Sequence, residues 1–136
     1  MLKRFGVSLN EDLLSKFDNM LEEEGYTNRS EAIRDLIRDA LVKKDWLNDS
    51  IEIVGAVVMV YSHHQYKLAQ KVTQTQHQSY KNVLSSLHVH LDSDNCLEVI
   101  VLKGKAKDIR QFGEKIISTK GVKYGRFIGA TTGSTI

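Results

Sequence analysis

The chain has 136 residues, of which 41% are hydrophobic and 26% are charged, and its net charge is +2. This size and composition are typical of one ordinary globular domain or of two very small ones. No apolar run approaches the ~20 residues that a membrane span needs. The first residues lack the apolar core of a secretory signal. The single cysteine cannot form an intramolecular disulfide, so we expect a cytoplasmic protein with no membrane partner.

The bulk charge does not indicate a nucleic-acid binder. Residues 1–50 carry eight Lys and Arg against eleven Asp and Glu. Any contact of this segment with DNA must therefore depend on where its basic groups point, not on their sum.

The first fifty residues predict a strand followed by two helices. Apolar and polar side chains alternate from Lys3 to Leu9, as in a short strand. Asn10 is expected to cap a helix that ends at Gly25, and Asn28 to cap a second helix. Fifty residues cannot bury a stable core alone, and one strand has no partner in its own chain. The segment is therefore predicted to form an obligate dimer with the ribbon-helix-helix arrangement.

Residues 51–130 predict the order strand, helix, strand, strand, helix, strand. This βαββαβ order is that of the ferredoxin-like fold, so the chain as a whole belongs to the α+β class. The predicted organisation is a ribbon-helix-helix domain at 1–44, a polar linker at 45–50, the second domain at 51–130 and a loose tail at 131–136.

Three side chains around a tight turn form a candidate metal site, spaced His88-x-His90-x5-Cys96. His88 and His90 are two residues apart on a strand and so share a face. Cys96 joins that face if it pairs with His90 across the turn. Imidazole and thiolate together suit a late transition metal, and these residue types leave zinc, copper and nickel open.

His77, eleven positions before His88, is a candidate fourth ligand. It lies on the first helix of the second domain, which we expect on the side of the sheet opposite the other three ligands. His77 is therefore expected to ligate a metal held by a neighbouring subunit. Both faces of the 83–103 hairpin carry apolar side chains, so a second copy is expected to cover one of them. The adjacent His63 and His64 are weaker candidates for a secondary metal site, because such pairs usually lie in solvent.

Taken together, the chain resembles the NikR family of nickel-responsive transcriptional regulators. The resemblance rests on the 4–9 strand, Arg29-Ser30-Glu31-Ala32-Ile33-Arg34-Asp35, His77, Leu87-His88-Val89-His90, Cys96-Leu97-Glu98, Lys103-Gly104 and Gly121-Val122. It implies a homotetramer, a dimer of dimers, whose C-terminal domains are of the ACT type.

The resemblance also implies which residues bind the metal and which residues support these ligands through hydrogen bonds. One square-planar Ni(II) per subunit would be bound by His88, His90 and Cys96 of one chain and by His77 of another. Gln76 and Glu98 would support these ligands through hydrogen bonds, as ligating histidines usually require.

For DNA, the resemblance implies that the paired strands read a palindromic operator in the major groove. The alternation puts Arg4, Gly6 and Ser8 on the exposed face of the strand, where Arg4 can recognise guanine. Gly6 departs from the threonine that is frequent in the family and offers no side-chain contact. Asn28 and Arg29, at a helix N-terminus, suit phosphate contacts.

Two further pairs of residues differ in how far they follow the family. Glu31 and Asp35 match positions that hold a secondary cation once DNA is bound, although an acidic pair on a solvated helix face explains them equally well. Gln65 and Tyr66 replace a Lys-Arg pair that touches DNA in some members, and Lys67 is the nearest basic substitute.

The resulting hypothesis is a non-enzymatic, nickel-sensing repressor, with nickel-uptake genes as targets, in which Ni(II) bound across the subunit interface promotes operator binding. One alternative is a ribbon-helix-helix regulator with structural zinc. Another is an ACT-domain regulator that senses a small organic ligand. A third, a metalloenzyme with Cys96 as nucleophile, is disfavoured because four protein ligands leave no open position for a substrate.

Overall fold

The computed structural model describes the backbone of residues 1–136 and every side chain except those of Tyr66 and Lys67. The chain divides into two compact units, residues 1–40 and residues 41–136. Its elements, in chain order, are α1 (Glu11–Glu24), α2 (Arg29–Trp46), β1 (Glu52–Ser62), α3 (Tyr66–Gln78), β2 (Val83–His90), β3 (Asn95–Lys105), α4 (Ala106–Ile117) and β4 (Val122–Ala130).

The first unit contains the two predicted helices with the predicted caps. The Asn10 side chain accepts the backbone N–H of Leu13 at 2.8 Å, and Gly25 ends α1 in the left-handed region at φ 78°. The Asn28 side chain accepts the N–H of Glu31 at 2.9 Å. These bonds satisfy orphan N–H groups at both helix starts, so the capping predictions are confirmed.

Residues 1–10 form neither helix nor strand in the single chain. The strand predicted from Lys3 to Leu9 is therefore absent here, because a strand exists only when its backbone groups pair with another strand. Its apolar side chains are left in solvent, with Phe5 70% and Val7 59% exposed. We refer to residues 1–10 as the arm.

The second unit is a four-stranded antiparallel sheet in the order β2-β3-β1-β4, and it confirms the predicted βαββαβ fold. Helices α3 and α4 pack on one face, where alternate residues of β1 and β3 are buried. We call the other side the open face. It carries exposed apolar side chains at Leu87, Val89, Leu91, Val101, Tyr124 and Ile128.

The segments on either side of the second domain make contacts that the sequence did not indicate. Helix α2 continues to Trp46, so the predicted linker at 45–50 begins inside a helix. The tail was predicted to be loose, but Thr135 Oγ1 donates to Asp45 Oδ2 at 2.8 Å. In the part of the chain that the structure describes, no helix has the length and apolar character to cross a bilayer.

Candidate metal centre and DNA-contact residues

His88, His90 and Cys96 occupy neighbouring positions at the tip of the β2–β3 hairpin. His90 pairs with Cys96 and His88 pairs with Glu98, which is the register expected from the sequence. The centroids of the two imidazole rings are 5.2 Å apart. The Cys96 side chain is fully buried, and its Sγ lies 3.3 Å from the Tyr61 carbonyl oxygen, to which it donates.

The position expected for His77 is wrong in one respect. The Gln76 side chain, next to His77 on α3, donates to Glu98 Oε1 at 2.8 Å. Glu98 shares its face of the sheet with Cys96, so α3 lies on the same side as the other candidate ligands. The alternation predicted which residues share a face, but both faces of the hairpin are apolar, and the pattern could not indicate which one the helix covers.

Glu98 is the centre of a buried hydrogen-bond network behind the histidines. Its carboxylate accepts from the Tyr61 hydroxyl at 2.7 Å, from Gln76 at 2.8 Å and from the Ser86 hydroxyl at 3.0 Å. The Tyr61 hydroxyl oxygen also lies 3.5 Å from Nδ1 of His88. Burial and the bond to Glu98 raise the pKa of the Tyr61 phenol far above its usual range.

Tyr61 and Ser86 belong to this network but were not singled out from the sequence. Ser86 lies two residues before His88, so the same strand alternation places both on one face. Tyr61 pairs directly with Cys96 across β1 and β3. That pairing connects strands far apart in the chain, and no local pattern reveals it.

The described side chains of one chain do not form a complete metal site. Among the side chains that the structure describes, no group of three or more His, Cys, Asp and Glu residues converges to hold a metal ion. Burial also raises the pKa of the Cys96 thiol, whereas a ligand must be a thiolate. The donor types fit a late transition metal. To bind a metal, the arrangement in one chain requires additional donors and the loss of the thiol proton that Cys96 donates to the Tyr61 carbonyl.

His63 and His64 lie beside the same hairpin tip. The His63 ring centroid is 5.0 Å from that of His90 and 4.6 Å from that of His64. Nδ1 of His63 is buried and has no hydrogen-bond partner within the described part of the chain. Nε2 of His64 lies 3.0 Å from Asp94 Oδ1.

The DNA-contact candidates fall into two groups. Arg4, Gly6 and Ser8 are exposed residues of the arm. Asn28 uses its side-chain oxygen to cap α2, and Arg29 forms a two-pronged ion pair with Asp18, both N–O distances being 2.8 Å. Arg29 must therefore release or share Asp18 to contact a phosphate.

The candidate cation ligands also have partners within the first unit. Glu31 accepts a hydrogen bond from the Thr27 hydroxyl at 3.0 Å. Asp35 accepts from the Tyr26 hydroxyl at 3.0 Å and from Arg38 at 3.4 Å. The possible substitute for the missing Lys-Arg pair, Lys67, lies outside the described side chains.

Comparison with known proteins gives two family matches that together span nearly the whole chain. Residues 54–129 match the NikR C-terminal nickel-binding domain, and residues 3–44 match the ribbon-helix-helix proteins of the copG family. The chain belongs to the NikR family. The resemblance inferred from the sequence and the predicted pairing of domain types are thereby confirmed.

Full-length relatives agree with this assignment. A protein of Solibacter usitatus is 53% identical over 133 residues, covering 98% of this chain and 96% of its own length. A protein of Geobacter sulfurreducens is 51% identical with the same coverage. Both bear the name nickel-responsive regulator. NikR proteins are DNA-binding transcription regulators, and the chain is therefore a regulator rather than an enzyme.

Proposed function

We propose that this NikR protein is a cytoplasmic homotetrameric repressor of nickel-uptake genes that binds its palindromic operator when one Ni(II) per subunit is held between chains. The ligands are His88, His90 and Cys96 of one chain and His77 of another. The observation that carries the proposal is the hairpin tip, where two imidazoles and a buried thiol share one face without closing around a common point.

The need for a second chain is supported by what one chain leaves incomplete. Among the described side chains of a single copy, no three His, Cys, Asp or Glu residues are placed so that they could hold a metal ion together. The open face of the sheet leaves Leu87 59% and Leu91 52% exposed beside the same hairpin. Apolar surface of this kind is typically covered by a partner, so the chain is expected to assemble with a second copy, whose His77 is then a candidate ligand.

The residues behind the ligands are suited to fix their orientation. When bound, nickel supplies a cation whose coordination bonds link donors from two chains. Glu98 accepts from Gln76 on α3 and from Ser86 on β2, so it connects the helix of His77 to the strand of His88 and His90. A change in the position of α3 is therefore transmitted directly to this strand.

The DNA-binding half needs dimerisation before it can act. The arm pairs with the arm of a second chain, and Arg4 and Ser8 then face the base edges while Asn28 and Arg29 lie near phosphates. Glu31 and Asp35 are proposed to hold a secondary cation in the DNA-bound state. We keep the proposed boundaries of the DNA-binding domain at 1–44 and of the metal-binding domain at 51–130.

Complementation between two defective subunits tests the cross-chain ligand set. His77→Ala and Cys96→Ala chains, each with its own affinity tag, are co-expressed, and mixed oligomers are purified through both tags. In a mixed pair, one site combines the intact hairpin of the first chain with the intact His77 of the second. Mixed oligomers should regain nickel binding that each variant alone has lost.

The readout is the absorption spectrum during nickel titration, because square-planar nickel-thiolate centres give charge-transfer bands that zinc cannot give. Ser79→Ala chains tagged in the same way are the control and should bind nickel like the wild type. Mixed oligomers that remain without bands, while the control binds nickel, would show that the ligands come from one chain.

A further inference from the structure

The C-terminal end of α2 is attached to the second unit by a cluster of side chains that we call the clamp: Trp46, Asp49, Arg110, Phe127 and Thr135. The ring of Trp46 packs on that of Phe127, with centroids 5.1 Å apart. Its indole N–H donates to the Ala130 carbonyl at 3.3 Å. Thr135, from the tail, donates to Asp45 in the same helical turn at 2.8 Å.

Arg110, on α4, completes the clamp. Its guanidinium donates both to the Trp46 backbone carbonyl and to the Asp49 carboxylate. The last carbonyls of a helix have no hydrogen-bond partner within the helix and carry partial negative charge. A cation at this end therefore donates a hydrogen bond to a free carbonyl and interacts favourably with the helix dipole. One arginine thus fixes the end of α2 and the start of the connection that follows it.

Gly129 provides the space for the Trp46 ring. It lies on the helix-covered face of β4, and a Cβ at this position would fall on the indole itself. Any larger residue at 129 must displace the ring. The site therefore offers a way to remove the Trp46 contact without changing Trp46.

Helix α2 belongs to both units, because the division between them falls at Ala40–Leu41, inside the helix. Residues 45–50 were expected to be a polar linker. In the structure, Trp46 and Asp49 of this segment contact Phe127 and Arg110 of the second unit.

We propose that Trp46 is a positioning residue for the nickel response, because the clamp fixes on the metal-binding domain the C-terminal end of α2, the helix that begins in the DNA-binding domain. This inference rests on the proposed function. Allosteric coupling requires an element that both sites can bias, and α2 contributes residues to both units.

The test compares the nickel response of clamp variants with that of the wild type. The variants are Trp46→Leu, which removes the ring, and Gly129→Ala, which displaces it. The control is Leu47→Ala, because Leu47 follows Trp46 and is 81% exposed. The DNA probe is a duplex selected from a random-sequence pool by the nickel-loaded wild-type protein.

Two quantities are measured: the nickel titration midpoint and the ratio of DNA affinities with and without nickel. We expect the nickel titration midpoint of both clamp variants to lie within twofold of the wild-type value. The ratio of their DNA affinities with and without nickel should be at least tenfold smaller than that of the wild type. The control should keep that gain. Because Trp46 is the only tryptophan, a red shift of its emission in Gly129→Ala verifies that the ring has moved.

The outcomes separate this inference from the proposed function. A wild-type protein whose DNA affinity does not respond to nickel would contradict the proposed function itself. A responsive wild type with an equally responsive Gly129→Ala variant, its ring displaced, would overturn the role of Trp46. Loss of nickel binding in both clamp variants would also overturn it, because the cluster would then support the metal site rather than the connection.

Discussion

At the scale of single residues, Glu98 is a buried carboxylate whose environment must satisfy its oxygens. It is 6% exposed and accepts three side-chain hydrogen bonds from residues on β1, α3 and β2. A buried carboxylate is tolerable only when its oxygens are satisfied in this way. The same bonds also mean that the three donors depend on Glu98 for their partner.

Replacing Glu98 by alanine should therefore destabilise the domain strongly. Three donors, among them the buried Tyr61 hydroxyl, would lose their acceptor, and we expect a decrease of about 3 kcal/mol in the free energy of unfolding. Urea unfolding followed by circular dichroism measures it. Glu52→Ala is the matched control, because the Glu52 side chain is 61% exposed and its ion pair with Lys103 is at the surface. Equal effects of the two substitutions would refute the structural role of the network.

At the scale of elements, the sequence predicted much of the fold because its patterns are local. The caps at Asn10 and Asn28 and the alternation in β1 and β3 depend on near neighbours in the chain. The face covered by α3, the contact between Tyr61 and Cys96 and the attachment of the tail through Thr135 depend on packing between distant segments. For the metal site, residue types and register were predictable from the sequence, but the position of His77 relative to the sheet was not.

The pairing of α1 with α2 includes an ion pair whose effect depends on pH. The hydrogen bonds from Arg29 lower the pKa of Asp18 below its usual 3.8. The pair therefore stabilises the folded state above about pH 4, and this contribution is lost as the pH falls through the folded-state pKa.

Asp18→Asn should reduce the difference in melting temperature between pH 7 and pH 3 relative to the wild type. Asp12→Asn, which alters an exposed pair with Lys16 within α1, is the control. A wild-type-like pH dependence in Asp18→Asn would show that the ion pair does not contribute to the stability of the helix pair.

At the scale of the whole molecule, the open face and the arm both leave apolar surface that one chain cannot cover. The candidate ligands lie on the opposite, helix-covered side of the same hairpin, but the proposed site also needs His77 of a second chain, so assembly and metal binding are expected to be linked. Anything that binds only the assembled form shifts the equilibrium towards it by mass action. Nickel should therefore stabilise the oligomer, and dissociation should weaken nickel binding.

Leu87→Glu tests this linkage, because Leu87 is 59% exposed in the single chain and lies on the open face. The substitution should barely affect the fold of one chain, but it would bury a charge in the assembly. We expect smaller oligomers in sedimentation velocity and at least tenfold weaker nickel binding. Gln111→Glu, on an exposed position of α4, adds the same charge and should leave both measurements unchanged. A Leu87→Glu tetramer of normal size would exclude this face from the interface.

The exposed arm has a consequence for how the cell can use this protein. In the proposed function, the DNA-binding surface forms only when the arms of two chains pair. The concentration of paired arms falls with the square of the free chain concentration, so little of this surface exists when the chain is dilute. DNA binding then depends on the concentration of the protein in the cell as well as on nickel. Dilution alone should silence the regulator even when nickel is plentiful.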